Sequence, residues 1–136
     1  MEVKEAEQGD ILYDGHVYIA PGGYHMKVRK LGPTFSIELD NEEPPRGGHR
    51  PSVDVLFENV SKLHDFDKIA VIMTGMGSDG SKGLVQLNEH GNVVAIAESA
   101  NTAIVYGMPK AAVETQLVNE VVDLEGIANS IIQYLP

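Results

Sequence analysis

The chain has 136 residues, in which 20 Asp and Glu outweigh 10 Lys and Arg to give a net charge of −10, with 43% hydrophobic residues. That balance predicts one globular domain over 1–136 with a buried core, and it excludes both a disordered chain and the basic surface that nucleic acid demands. Zero Cys removes disulfide and thiolate chemistry, no apolar run approaches the ~20 residues of a membrane span, and the acidic opening MEVKEAEQGD is unlike a signal peptide, so a cytoplasmic protein without membrane insertion is expected.

In chain order, the run His16-Val-Tyr-Ile-Ala20 predicts a strand, closed by the turn Pro21-Gly22-Gly23. Residues 24–30 and 34–39 alternate apolar with polar side chains around Gly32-Pro33, the pattern of a hairpin with one wet face. The stretch 40–51 holds three Pro and two Gly and reads as an exposed loop. Beyond it the period changes to about 3.6, with Val53, Leu56, Phe57, Val60 and Leu63 on one stripe, so a helix begins there under a Ser52 cap. A strand over 68–73, a glycine-rich turn, a helix over 81–90 stopped by Gly91 and a strand over 92–97 follow, which predicts a parallel pair with a right-handed crossover. A short helix over 109–115, a strand over 118–122 and a last helix complete the pattern. Asp123 caps that helix, and Leu124, Ile127, Ala128, Ile131 and Leu135 share one face. The fold class is therefore α/β, a mostly parallel sheet flanked by helices with an antiparallel hairpin near the N-terminus.

The turn Thr74-Gly-Met-Gly-Ser-Asp-Gly80 carries three readings. Its Gly75-x-Gly77-x-x-Gly80 spacing after a strand and before a helix is that of a dinucleotide site, and Glu98 ends the next strand near where a ribose ligand is expected. Against it, Asp79 sets a carboxylate where a pyrophosphate belongs, Lys82 offsets that only in part, and Met76 crowds the space between the glycines. The plainest reading is a tight strand-to-helix turn in which Ser78 or Asp79 caps the helix. In the third, Asp79 stands at the carboxyl end of a parallel strand to orient a catalytic histidine, with the backbone N–H near Met76 facing an oxyanion.

Four segments occur in the order Val17-Tyr-Ile-Ala-Pro-Gly-Gly23 with His25, Gly48-His-Arg-Pro-Ser-Val-Asp-Val-Leu-Phe57, Thr74–Gly80, and Val105-Tyr-Gly-Met-Pro109. In these the chain closely resembles the catalytic domain of the chemotaxis receptor methylesterases of the CheB type. The resemblance implies hydrolysis of glutamate γ-methyl esters on the cytoplasmic part of chemotaxis receptors and a related deamidation of receptor glutamines, without a cofactor. It also implies a Ser, His, Asp triad whose acid falls on Asp79, and an oxyanion hole that uses the backbone N–H of Met76.

The sequence departs from the family pattern where the nucleophile and base belong. Neither a G-x-S-T-G-G turn nor a following Q-H-M segment is present, and His25-Met26 matches a different position. The upstream receiver domain of the family is missing too, so the chain is expected to be the later, truncated part of the catalytic domain. No residue here substitutes for the serine: Ser78 lacks the glycine elbow, and Ser52 and Ser81 sit at helix starts. His49 and Arg50 are candidate contacts to the cleft or to an acidic receptor surface, against the alternative of a solvated loop pair. Glu98 is a further candidate, either facing the cleft with Asp79 or pointing to water. His16, His64 and His90 show no ligand spacing, and no metal is expected.

The expected function is thus a protein-glutamate methylesterase in which the isolated chain is inactive. Two alternatives stand beside it: a non-catalytic receptor-binding or assembly module, and a dinucleotide-binding domain. A truncated sheet exposes its flank, so self-association is expected.

Overall fold

The computed structural model describes residues 1–136, and its strands form three sheets. Strands β1 (Glu2–Glu5) and β2 (His16–Ile19) pair in parallel, β3 (His25–Leu31) and β4 (Thr34–Asp40) form the antiparallel hairpin, and β5 (Lys68–Ile72), β6 (Val93–Glu98) and β7 (Glu120–Val122) form a parallel sheet in that order. β1 is absent from the sequence reading: Glu-Val-Lys-Glu is short and charged, and its pairing is decided by backbone bonds to a strand ten residues on. β7 is shorter than predicted because the Asn119 side chain, with its own N–H, bonds the backbone of Ala95 and takes the place of a ladder residue.

Helices α1 (Val53–Val60), α2 (Ser81–Glu89), α3 (Met108–Glu114) and α4 (Ile127–Gln133) flank the strands. Ser52 caps α1 as expected, its Oγ accepting from the Val55 N–H. Ala70 and Ile72 of β5 and Ala95 of β6 share a sheet face and form the core with Leu84 and Leu87 of α2 and Ala112 of α3. Asp123 stands at the expected N-cap position, but its carboxylate makes no cap bond and takes the Ser99 hydroxyl instead. A single 3-10 turn over Leu124–Gly126 then leads into α4, and Leu124 and Leu135 of the predicted apolar face stay exposed.

The loop after β4 is anchored by charge. Asp40 accepts the N–H groups of Glu42 and Glu43 and the Lys27 ammonium at 3.0 Å, while Lys27 also reaches Glu43 at 2.9 Å. The backbone bond from Glu42, then the Lys27 ion pair, hold the Asp40 carboxyl down at about 2. Because this value lies below the unfolded 3.8, the contribution is present above that pH and is lost as pH falls toward 2. Lys27→Met is expected to flatten the fall of the urea midpoint across this window, and an unchanged slope would refute the assignment.

Candidate active site

The turn after β5 lies at the carboxyl end of the parallel sheet, where open α/β sheets place their ligands. It is held by the segment before α3. Gly75 donates to Val105 O at 3.0 Å, Met108 donates to Gly75 O at 2.8 Å, and Val105 N–H donates to Thr74 Oγ1 at 2.9 Å. The backbones touch so closely that a Cβ on Gly107 would lie 2.7 Å from Gly75 O, a contact that only glycine avoids.

Asp79 does not cap the helix that follows it, and neither does Ser78. The N-cap of α2 is Gly80, which makes no side-chain cap bond. Asp79 instead caps α1: its Oδ1 accepts from Ser52 Oγ at 2.9 Å and from Asp54 N at 2.8 Å, and its Oδ2 accepts from Val53 N at 2.8 Å. Asp54, in the first turn of α1, returns the favour to α2, its Oδ1 accepting from Gly80 N at 3.0 Å and from Gly83 N at 2.8 Å. Two neighbouring helices thus cap one another through exchanged carboxylates, each acid meeting the positive end of the other's dipole. The exchange requires close approach, which Gly83 permits, since a Cβ there would stand 2.5 Å from Phe57 Cβ. Burial raises the Asp54 carboxyl above its ordinary range, opposed by the bond from Gly83 and reinforced by the charge on Asp79.

A pocket of about 260 Å³ opens at Asp79, lined also by Arg46, His49, Asp54, Ser78 and Lys82. Its wall carries three basic side chains in a chain of charge −10. Arg46 is already engaged with Glu58 at 2.7 Å, an ion pair that raises its pKa. Met76 is 78% exposed, and the N–H groups of Met76 and Gly77 donate to no group of the chain.

Of the residues singled out by sequence, Asp79 and His49 meet at this pocket and Met76 adjoins it in the same turn. Arg50 and Glu98 lie outside its lining. The Arg50 guanidinium clamps its own loop, donating to Asn41 O at 3.0 Å and Glu43 O at 3.3 Å. Glu98 neither shares the cleft nor points to water: it is 1% exposed and accepts from Thr74 N and Thr102 Oγ1, both at 2.9 Å. It ties the turn to the next loop, and its burial keeps it out of reach of a ribose. His25, which sequence set apart from the catalytic base, is fully buried. Sequence reasoning missed Asp54 and Arg46 at this pocket and read Ser52 only as a cap. The sole signal was the Ser52-Val-Asp54 spacing at a helix start.

Parallel strands flanked by helices, whose carboxyl ends present a glycine-rich turn and a fixed carboxylate, define an α/β domain with a candidate site at that edge. The sequence profile of the CheB methylesterase family matches residues 1–131, and the chain belongs to that family. It is 57% identical over 133 residues to a Halalkalibacterium halodurans protein and 51% identical over 131 residues to a Bacillus subtilis protein, both named protein-glutamate methylesterase/protein-glutamine glutaminase. These alignments cover 98% and 96% of this chain but 38% and 36% of those proteins, so the chain spans under two-fifths of its curated relatives. The crystal structure of the Thermotoga maritima CheB methylesterase catalytic domain superposes with a TM-score of 0.91 at 34% identity, covering 97% of this chain and 69% of that one. The α/β fold class expected from sequence is that of this domain.

Proposed function

We propose that the chain supplies the acid and an oxyanion donor of a protein-glutamate methylesterase. The enzyme hydrolyses glutamate γ-methyl esters on the cytoplasmic region of chemotaxis receptors and carries out the related glutamine deamidation. The observation that carries this reading is the Asp79 carboxylate, held by three donors beside the unengaged Met76 amide. A carboxylate accepts about four hydrogen bonds, so one position on Oδ2 remains for an imidazole N–H.

In this scheme the serine and histidine come from polypeptide outside these 136 residues. Asp79 holds the imidazole in the tautomer whose other nitrogen faces the serine, and the serine attacks the ester carbonyl. The histidine takes the serine proton and delivers it to departing methanol. The Met76 N–H donates to the oxyanion, and water repeats the sequence to free the glutamate. His49 and Lys82, which line the pocket beside Asp79, supply basic groups for an acidic receptor surface. No cofactor enters any step, and the reaction is placed in the cytoplasm with its receptors.

Methanol release from methylated receptor tests the reading. The chain alone is expected to be silent, and adding a segment with the family's serine and histidine motifs is expected to restore release. Activity of the chain alone would mean that one of its own serines is the nucleophile, and silence after complementation would overturn the reading.

A second reading, an assembly module, is favoured by the free edge of β5 and by Val3 and Ile19, which stand exposed on β1 and β2. It expects a mass that rises with concentration in sedimentation, and a strictly monomeric species would count against it.

A further inference from the structure

We propose that Ser52 is a positioning residue for Asp79, its hydroxyl proton setting the rotation of the carboxylate that receives the imidazole. This rests on the reading of Asp79 as the triad acid.

A helix cap needs only a side-chain acceptor, and the Ser52 Oγ does accept from Val55 N, at a long 3.4 Å. Its proton goes elsewhere, to Asp79 Oδ1 at 2.9 Å, the shorter of the two contacts. The same oxygen of Asp79 takes the Asp54 amide, so Oδ1 is saturated and Oδ2 keeps the remaining position. Without the hydroxyl, two amides, one on each oxygen, hold the carboxylate, and its plane gains freedom to turn about the Cβ–Cγ bond. A hydrogen bond from a neutral donor to an ionised acceptor is among the stronger ones and is directional.

Ser52 is itself fixed from behind. It is 2% exposed, and its N–H donates to Nδ1 of buried His25 at 3.3 Å, while Nε2 of the same ring lies 2.9 Å from Pro44 O. The Ser52 amide can only donate and the Pro44 carbonyl can only accept, so the ring is the neutral tautomer with its proton on Nε2. The contact seats Ser52 against the first residue of β3, and the Val28 N–H to Asn59 Oδ1 bond of 2.7 Å fastens α1 to the same strand. A path of rigid elements, β3 to Ser52 to Asp79, therefore aims the acid. The motif His25 and the motif Ser52 both gain a purpose beyond local folding.

The test uses this chain complemented with the serine- and histidine-bearing segment. Ser52→Ala is expected to lower kcat about tenfold with KM unchanged, since it removes one charge-assisted hydrogen bond. Ser52→Thr, which keeps a hydroxyl, is expected to restore most of the rate. Ser52→Gly serves as a second variant, because glycine is nearly as good an N-cap and leaves the helix in place while removing the donor. In an Asp79→Asn background, Ser52→Ala is expected to change nothing further, because it acts through the carboxylate. An unchanged kcat in both Ser52→Ala and Ser52→Gly, or a loss that persists at full size in the Asp79→Asn background, overturns the inference while leaving the triad reading intact. A complemented wild type without activity, or one indifferent to Asp79→Asn, overturns the triad reading, and the inference falls with it.

Discussion

Asp79→Asn is expected to lower kcat of the complemented methylesterase by about 10⁴-fold, the scale of the loss when a triad acid becomes an amide and the histidine settles in the wrong tautomer. The geometry adds a second cost. Asp79 receives three donors on two oxygens, and an amide has one oxygen and one N–H₂. With its oxygen facing Ser52 and Asp54, its nitrogen confronts the Val53 N–H, donor against donor. The substitution therefore destabilises the start of α1 by about 1–3 kcal/mol as well as disarming the site. Kinetics at saturating substrate, alongside urea unfolding, separate the two effects. A rate within tenfold of wild type would remove Asp79 from the triad, whereas a stability loss with an intact rate would make it a cap alone.

Asp54→Ala is expected to be the more damaging change to the fold. It leaves the N–H groups of Gly80 and Gly83 without an acceptor in a buried position. At about 1–3 kcal/mol for each orphaned donor the loss is about 2–6 kcal/mol, a large share of the 5–15 kcal/mol that holds an ordinary domain together. Asp54→Asn should behave differently, since both amides bond one oxygen, Oδ1, and an amide oxygen can take its place. The acid form is favoured by burial, so the folded-state pKa lies above the unfolded 3.8 and the folded protein binds the extra proton. Stability is then lost as pH rises from 3.8 through the raised value, and Asp54→Asn is expected to erase that part of the pH dependence. Chemical unfolding of the three proteins between pH 4 and 7 reads both effects, and equal stability of the Ala and Asn variants would refute the exchange of caps.

Much of the fold was legible because its signals are local. The 3.6-residue stripe of Val53, Phe57 and Val60, the Ser52 cap, the apolar run of β5 and the alternation of β3 and β4 each lie within a dozen residues, and each element stands where the pattern placed it. β1 escaped because a four-residue charged strand has no periodicity to read, and its partner is chosen by backbone geometry. Val118 and Asn119 read as strand, yet an amide side chain that imitates the ladder is invisible to a hydropathy pattern.

The site divides in the same way. Sequence by itself determined that a carboxylate, Asp79, sits on a glycine-rich turn after a parallel strand, with Met76 in the same turn, because turn chemistry and strand order are written in neighbouring residues. Which groups surround that carboxylate was decided only by tertiary structure. Residues 52–54 and 79–83 are far apart in the chain, and the exchange of caps exists only once α1 and α2 pack across Gly83. The same holds for Glu98 and Arg50, whose charge suggested the cleft. A charged side chain is spent wherever the fold leaves unpaired backbone groups, and for these two those were the Thr74 amide and the carbonyls of Asn41 and Glu43.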